Sequence, residues 1–502
     1  MNLKLDEFDI KSNLIKSKYI FIYLILIILA SVSMLSPDNY HHPKMEILAF
    51  CLVAVLGIIF IRYHLHNNDD GKLFMTAFIV ILVFGLITSM VIPINSVSDE
   101  GEHFIRAEMT SRGVLFPEYE NNSYTSISSI HTFYSKNTGH TVFETTDDTN
   151  SIDQSPYSVD SAFEQNPFYG YLFSGLGILI AKLLNLNVIW MLWLGRIFNS
   201  IAYAALISLA VKITPKLKML IFSVSCLPVC LFQAFSVSID SIITGLGILL
   251  IAYFIYLYEN KFDAKHLAIF AAITLLIGMC KAPYLALIFL LLFLPKSNFK
   301  NKNYYAYVLL GIILVSIIGI IWSKFSTAAY LHSWRMTYML EHNVNMTSQI
   351  QFILSNPKSI VSYFAFILNY SQGIFESFFN FYNHGEYCGS QFISIILTLL
   401  YGFICLGYPT ERRFDLKARF GIFLTFSIVY IGTFIVFLLT WTPVGELKII
   451  GVHARYFLPL FAMLPLSFNI NENKSYNIDK YMFVLTITFI SAMIMSLIMK
   501  YY

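Results

Sequence analysis

Long runs of apolar residues recur along the whole chain, and they constrain its fold more than any other feature. Of the 502 residues, 57% are hydrophobic and 13% are charged, about half the charge of an ordinary soluble protein. Because lipid offers the backbone no hydrogen-bond partners, only helices and closed barrels can span it. Strict alternation of apolar and polar residues is absent from the sequence. We therefore predict an all-α polytopic membrane protein, and the net charge of +3 gives no indication of a nucleic-acid partner.

Thirteen segments approach the length of about 20 apolar residues that a spanning helix needs. These predicted transmembrane helices are Tyr19–Leu35, Met45–Ile61, Leu73–Ile92, Val188–Val211, Met219–Phe235, Ser241–Tyr258, Leu267–Cys280, Tyr284–Pro295, Tyr304–Trp322, Ser390–Gly407, Phe420–Thr440, Tyr456–Phe468 and Tyr481–Met499. The apolar segment Tyr169–Leu184 is predicted to be an interfacial helix instead, because counting it as a span would invert every later loop.

Basic residues are sorted between the two sides of this arrangement. The short segments assigned to the inner side hold 20 Lys or Arg in 76 residues, whereas the outer segments hold 12 in 197 residues. Since short basic loops stay in the cytoplasm, we predict a multi-pass protein of the bacterial cytoplasmic membrane, with its N-terminus inside and its C-terminus outside. The chain is interpreted as a single integral-membrane domain, 1–502.

Two of the predicted outer segments are large. Segment 93–187 holds twelve Asp or Glu and four Lys or Arg, so it forms an acidic loop in which we expect interfacial helices. Segment 323–389 is half-polar and rich in aromatic residues, which is also typical of interfacial helices.

A first group of chemically active side chains follows the third predicted span. Asp99, His103 and Arg106 share one face if a helix begins near Ser98, and Glu100 is the neighbour of Asp99. A carboxylate in this position can take a proton from an attacking hydroxyl or hold a divalent cation. The alternative is structural, because an acid followed three residues later by a glutamate is also the pattern of a helix capping box.

Three further charged residues interrupt apolar segments. Asp240 is either a second acid at the outer face or the cap of the next helix. Arg196 lies inside a predicted span, where a charge is costly, so it indicates either a functional site or a salt bridge between helices. Lys281 is either a phosphate ligand or a lysine whose ammonium reaches the membrane surface.

The predicted outer segment between the spans Phe420–Thr440 and Tyr456–Phe468 carries a second group of cations. Lys448, His453 and Arg455 lie close together there and are suited to binding a lipid-linked phosphate. A turn in the aromatic belt with ordinary charges is the alternative. The Gly-Leu-Gly triplets at 175–177 and 245–247 lie in apolar helices, where they predict close packing between helices.

Five motifs occur in a characteristic order along nearly the whole chain. They are the Asp-Glu-x-x-His-x-x-Arg-Ala run from Asp99, Asn-Pro-Phe-Tyr-Gly-Tyr from Asn166, Leu-Pro from Leu227 with the later Ser-x-Asp ending at Asp240, Lys-Ala-Pro-Tyr from Lys281, and Gly-Val-His-Ala-Arg-Tyr-Phe-Leu-Pro from Gly451. In this the chain resembles a large bacterial family of predicted membrane proteins related to GT-C glycosyltransferases. It differs from the family pattern at Ser98 and Gly101, where that pattern has prolines around the acids, and at His453-Ala454, where it has Gln-Gly.

The resemblance implies a GT-C-like enzyme that takes a sugar from a polyprenyl-phosphate carrier at the outer face and passes it to a cell-surface glycan or lipid acceptor. The expected roles are catalytic for Asp99 and Glu100, orienting or acceptor-binding for His103, Arg106 and Asp240, and donor-phosphate-binding for Arg196, Lys281, Lys448, His453 and Arg455. A bound Mg²⁺ or Mn²⁺ is compatible with these residues and is not required by them. A transporter or flippase of a lipid-linked glycan, or a polymerase or ligase, is the alternative function.

Overall fold

The computed structural model shows a chain that is mostly helical, as the apolar runs predict. It describes residues 4–35, 42–66, 70–146, 152–161, 163, 165–331, 333–378, 382–383, 386–387, 391–410, 413–472 and 478–502. Its α-helices, in chain order, are α1 (Lys4–Ser33), α2 (Pro43–His66), α3 (Leu73–Val91), α4 (Glu100–Ser111), α5 (Ser128–Asn137), α6 (Leu172–Leu183), α7 (Val188–Ile213), α8 (Lys218–Ser225), α9 (Pro228–Ala234), α10 (Ile239–Glu259), α11 (Ala264–Cys280), α12 (Tyr304–Leu331), α13 (Trp334–Glu341), α14 (Met346–Ser355), α15 (Lys358–Phe378), α16 (Gln391–Gly407), α17 (Leu416–Thr440), α18 (Met463–Phe468) and α19 (Asp479–Tyr501).

The remaining elements are short. Two antiparallel strand pairs are formed by β1 (Tyr124–Ile127) with β2 (Pro156–Val159) and by β3 (Tyr382–Asn383) with β4 (Glu386–Tyr387). The 3-10 helices are Asp70–Lys72, Phe168–Tyr171, Ala282–Phe293, Lys296–Asn298 and Ala454–Leu460.

Seven helices within the described ranges are long and apolar enough to cross a membrane. They are α2, α3, α7, α10, α12 over Tyr304–Ala328, α17 and α19. Each coincides with one predicted span, which confirms a helical membrane protein with several spans. The other six predicted spans fall on α1, α8 with α9, α11, the 3-10 helix Ala282–Phe293, α16, and the 3-10 helix Ala454–Leu460 with α18.

Two of these six segments are divided into two short helices, and both contain a proline. Pro228 is the first residue of α9, so the predicted span 219–235 is divided into two short helices. Pro459 lies within the 3-10 helix Ala454–Leu460, and a separate short helix, α18, follows it. The segment Ala282–Phe293 is continuous, and at about 2.0 Å per residue its twelve residues extend about 24 Å, further than an α-helix of equal length.

The helices of the bundle are joined by loops at two ends. At one end, which we call the loop-rich end, the described residues of segments 92–187, 235–241, 280–283 and 441–456 come together. The amide of Val237 donates to the carboxylate of Glu100 at 3.0 Å, Nη1 of Arg455 donates to the carbonyl of Ser98 at 2.7 Å, and Lys281 pairs with Asp240 at 2.5 Å. At the opposite end, Lys216 pairs with Glu259 at 2.6 Å, and the amide of Phe262 donates to the carbonyl of Asn298 at 2.9 Å.

The first large segment, 93–187, is folded onto the loop-rich end. Its middle part contains α5 and the β1–β2 pair. Helix α6 has twelve residues, which is too short to span a bilayer and fits the interfacial helix expected there. A Cβ on Gly177 would lie 2.3 Å from the carbonyl oxygen of Leu194 in α7, so the glycine permits the close helix packing that the sequence predicted.

Helices α13 to α15 of the second large segment pack against the loop 441–456. The side chain of Gln349 accepts from the amide of Gly445 at 2.9 Å, and the hydroxyl groups of Tyr363 and Tyr370 donate to the carbonyls of Glu446 and Val452, both at 3.0 Å. This packing fixes the loop that carries His453 and Arg455.

The two ends of the bundle are expected to lie on opposite sides of the membrane, so an impermeant reagent should reach only one of them. Ser135 is exposed at the loop-rich end and Ser297 is exposed at the opposite end. With S135C and S297C made separately, an impermeant thiol reagent added to intact cells should label one variant, and the other only after permeabilisation. Labelling of the unmodified chain gives the background of native cysteines. Equal labelling of both variants before permeabilisation would contradict the two-ended bundle.

Candidate functional site

Charged and ionisable side chains from separate segments meet at the loop-rich end. The group consists of Asp99 and His103 at the start of α4, Asp240 at the start of α10, Lys281 after α11, and His453 and Arg455 around the start of the 3-10 helix Ala454–Leu460. We call these six residues the charged cluster. The sequence predicted all six as site residues without indicating which of them contact one another.

Arg455 is at the centre of the charged cluster. Its Nη1 donates to the carbonyl oxygen of Ser98 at 2.7 Å and its Nη2 donates to the carboxylate of Asp99. Its Nε lies 3.4 Å from Oδ2 of Asp240. The side chain of Arg455 is only 6% exposed, so its guanidinium has lost most of its water. The carboxylates of Asp99 and Asp240 compensate for this loss.

Lys281 completes the group of cations. Its Nζ donates to Oδ1 of Asp240 at 2.5 Å and lies 4.3 Å from the ring centroid of Tyr456. Burial lowers the pKa of Lys281, and the adjacent carboxylate opposes that effect in part. Asp240 therefore has a cation on each carboxylate oxygen, and its side chain is 4% exposed.

Asp240 is not the cap of its own helix, which was the structural alternative. The cap of α10 is Ser238, whose hydroxyl oxygen accepts from the amide of Asp240 at 3.1 Å. The Nδ2 of Asn199 donates to the carbonyls of Ser236 and Ser238 at 2.8 and 2.9 Å, so the turn that presents the carboxylate is itself held by α7.

A glycine brings the two halves of the charged cluster together. A Cβ on Gly247 would lie 2.5 Å from the Cβ of Pro459, so only glycine lets the 3-10 helix that carries Arg455 pack this closely on α10. This is the contact that the second Gly-Leu-Gly triplet predicted.

Asp99 differs from the other members of the charged cluster in its exposure. Its side chain is 42% exposed, and its backbone is left-handed, with φ of 61° and ψ of 16°. It precedes α4 but makes no capping hydrogen bond, so the capping box with Glu102 does not form. Burial raises the pKa of Asp99, but the charge and the hydrogen bond of Arg455 outweigh it and hold the pKa below its usual value.

Glu100 and Arg196 form a separate, fully buried ion pair. Both side chains are 0% exposed, and the Nε and Nη2 of Arg196 donate to the two carboxylate oxygens at 2.8 and 2.6 Å. Arg196 also donates to the carbonyls of Ser89, Ile92 and Pro93 at 3.0, 2.7 and 3.1 Å, which uses all five of its N–H groups.

The structure therefore corrects two of the expected roles. Glu100 was grouped with Asp99 as a catalytic acid, but its carboxylate is buried and also accepts from the amide of Val237 at 3.0 Å. Arg196 was grouped with the phosphate ligands, but it has no donor left for a phosphate. The pair joins α3, α4 and α7, which is the salt-bridge alternative considered for Arg196.

Arg106 is also structural in its contacts. It is 0% exposed and donates to the hydroxyl of Thr110 and to the carbonyl of Leu115, both at 2.8 Å, and to the carbonyl of Asn166 at 3.5 Å. Its guanidinium is therefore buried among backbone carbonyls and is not exposed to an acceptor. It holds the chain that leads into the 3-10 helix Phe168–Tyr171.

His103 contacts a tyrosine that was not among the predicted site residues. Its Nδ1 lies 2.7 Å from the hydroxyl of Tyr171, and its ring packs against Phe163 at a tilt of 35°, with 4.7 Å between centroids. Burial lowers the pKa of His103 to about 4, although Asp240 and Asp99 oppose this effect. His103 is therefore neutral at pH 7.

Lys448 and His453 differ in their relation to the charged cluster. Lys448 is exposed, and within the described ranges no ion pair connects its ammonium to the other site residues. His453 lies among them, and burial together with the nearby Arg455 lowers the pKa of His453 to about 4. The structure thus brings His453 into the group and leaves Lys448 on the surface.

The site residues that sequence reasoning missed are mainly tyrosines. Tyr171 binds His103, Tyr456 lies under Lys281, and the hydroxyl of Tyr284 donates to the backbone carbonyl of Tyr456. All three belong to motifs noted above, but a chain with 32 tyrosines gives no reason to select them. In the part of the chain that the structure describes, no set of three or more His, Cys, Asp or Glu side chains is placed to hold a metal ion.

The fold and this site define the class of protein, a helical multi-pass membrane protein with a cluster of opposite charges at one end of its bundle. The chain belongs to the family described as "Predicted membrane protein (DUF2142)", whose model matches residues 82–464. This range includes the whole charged cluster and confirms the resemblance to a family of predicted membrane proteins. No curated protein and no solved structure matches the chain.

The buried ion pair makes a direct prediction about stability. The variant R196M leaves the Glu100 carboxylate buried without its cation, which should cost about 3–5 kcal/mol of folding free energy. We expect a clear fall in the thermal unfolding midpoint of the detergent-purified protein. The control is R62M, at an exposed position of α2. Equal midpoints for R196M and R62M would contradict a structural role for the pair.

Proposed function

We propose that this protein is a membrane glycosyltransferase that moves a sugar from a polyprenyl-phosphate carrier to a cell-surface glycan or lipid acceptor. The observation that carries the proposal is the contact of the partly exposed Asp99 carboxylate with the buried Arg455 guanidinium. A base that can reach solvent and fixed positive charge for a phosphate are the two groups that this transfer needs, and here they are neighbours.

The chemical step assigns a role to each of these groups. The acceptor hydroxyl gives its proton to Asp99 as its oxygen bonds to the anomeric carbon of the sugar. The bond from that carbon to the phosphate oxygen breaks, and its electron pair leaves with the polyprenyl phosphate. Arg455 and Lys281 stabilise the negative charge that develops on the phosphate, so the leaving group needs no proton.

The resting contacts of Arg455 indicate how a phosphate enters. Ser98 contacts it through the backbone, and the Asp240 side chain is 4% exposed, so neither is easily displaced. Asp99, at 42% exposure, is the partner that an incoming phosphate can replace. Replacement removes the cation that lowers the pKa of Asp99, so binding the donor makes Asp99 a stronger base.

The proposal extends to the membrane arrangement. We infer thirteen crossings and a GT-C-like fold, with the loop-rich end outside the bacterial cytoplasmic membrane, the N-terminus in the cytoplasm and the C-terminus outside. Two features support this arrangement. The short loops at the opposite end are rich in Lys and Arg. The hydroxyl of C-terminal Tyr502 donates at 3.0 Å to the carbonyl of Val91 at the loop-rich end.

Asp99 offers the sharpest test of this function. The variant D99N keeps the size of the side chain but cannot take a proton, so the rate of sugar transfer should fall about 10²–10⁴-fold. The measurement uses purified protein in vesicles, a panel of radiolabelled undecaprenyl-phosphate hexoses and membrane extracts as acceptors. The control is D160N, at an exposed position of the same acidic segment.

Two results would contradict the proposal. Full transfer by D99N at normal protein levels would remove Asp99 from the mechanism. Movement of the labelled lipid across the vesicle membrane without transfer of its sugar would instead identify a transporter, the alternative from the sequence.

A further inference from the structure

An amide, a phenol and an imidazole form a continuous hydrogen-bonded chain that ends at His103 of the charged cluster. The Nδ2 of Asn166 donates to the hydroxyl oxygen of Tyr171 at 3.0 Å, and that hydroxyl lies 2.7 Å from Nδ1 of His103. Asn166 and Tyr171 open and close one of the sequence motifs, to which the catalytic step above gives no role.

The donors and acceptors in this chain determine where the histidine proton lies. The amide nitrogen of Asn166 can only donate, so the oxygen of Tyr171 accepts from it. The phenolic hydrogen of Tyr171 then needs an acceptor, and the neighbour at 2.7 Å is Nδ1 of His103. Nδ1 therefore carries no proton, and in the neutral ring the single proton is on Nε2.

The environment of His103 keeps the ring neutral. The ring is 4% exposed and packs against the tilted ring of Phe163. The charged groups that act on it from the packed elements are Asp99, Asp240, Lys281 and Arg455, two of each sign. Burial lowers the pKa of His103 to about 4, so the ring has one N–H donor and one occupied lone pair between pH 5 and pH 8.

We infer that His103 is a neutral hydrogen-bond donor that holds a phosphate oxygen of the bound donor lipid through Nε2–H, and that Tyr171 and Asn166 are its positioning residues. This assignment rests on the proposed function. It separates His103 from proton transfer, because the lone pair that a base would need is occupied by Tyr171. Asp99 thus remains the group that takes the proton of the acceptor.

A neutral hydrogen-bond donor at position 103 is favourable for an electrostatic reason. Asp99 and Asp240 already balance Lys281 and Arg455. An imidazolium at position 103 would compete with Arg455 for Asp99 and so weaken the base. Arg106 supports the arrangement from behind, since it donates to the carbonyl of Asn166 at 3.5 Å and its guanidinium carbon lies 5.5 Å from the ring centroid of Tyr171.

Two substitutions of His103 separate its two nitrogens. The amide of glutamine can place an N–H near the position of Nε2, whereas the shorter asparagine places its amide near Nδ1. We expect H103Q to keep transfer within about tenfold of the unmodified protein and H103N to lose about 10²–10³-fold, the range for the loss of one preorganised donor. H66Q, at an exposed position of the opposite end, is the control. Equal loss in H103Q and H103N would overturn the donor role.

The variant Y171F tests the positioning role through pH. Without the phenolic hydrogen, the lone pair of Nδ1 is free to bind a proton, so the pKa of His103 should rise from about 4, although burial still holds it below the ordinary value of 6.5. The imidazolium forms at a higher pH, and transfer by Y171F should fall on the acid side at a higher pH than in the unmodified protein. A Y171F profile that is lower at every pH but unchanged in shape would overturn the positioning role.

A spectroscopic measurement separates this inference from the proposed function. In full-length protein labelled with ¹⁵N-histidine, the signals that disappear in H103Q belong to His103. We expect a hydrogen directly bonded to Nε2 and none on Nδ1 at pH 7, whether or not the protein transfers sugar. A hydrogen on Nδ1 would overturn the inference. Absence of transfer with the expected spectrum would refute the enzyme and leave in place the proton on Nε2 and the positioning roles of Tyr171 and Asn166.

Discussion

The contacts of one guanidinium unite the site. Arg455 connects the turn before α4, the start of α10 and the late loop that carries Arg455 itself, through Ser98, Asp99 and Asp240. These segments are far apart in the sequence, and each belongs to a different part of the bundle. A buried cation requires partners, so this single charge fixes the positions of Asp99, the proposed base, and of Asp240.

The charged residues around α4 fall into two groups by the exposure of their side chains. The pairs Glu100–Arg196 and Glu108–Lys182 have fully buried carboxylates and hold α4 against α7 and α6. They fix the position of α4 without any open face for a ligand. Asp99 is the neighbour of Glu100, yet its left-handed backbone directs its side chain away from the buried pair and towards Arg455. Asp99 of the candidate site and Glu100 of the buried ion pair are therefore consecutive residues with different roles.

The sequence predicted the parts of the structure that follow from local physics. Apolar runs located the spanning helices, and polar residues at their ends identified Asp99, Asp240 and Arg455. The sequence could not predict which of the two adjacent acids, Asp99 or Glu100, is exposed. Their side chains point in different directions because the backbone at Asp99 is left-handed. Arg196 was ambiguous for a similar reason, since its partner lies on another helix 96 residues away. Tyr171 was missed because its role depends on one hydrogen bond to His103.

The most direct test of the account is an electron cryomicroscopy structure of the protein in nanodiscs with undecaprenyl phosphate. The account predicts phosphate density within hydrogen-bond distance of Arg455 and Lys281, with the Asp99 carboxylate turned away from the guanidinium. Phosphate density elsewhere on the protein, with the Asp99–Arg455 contact intact, would contradict it.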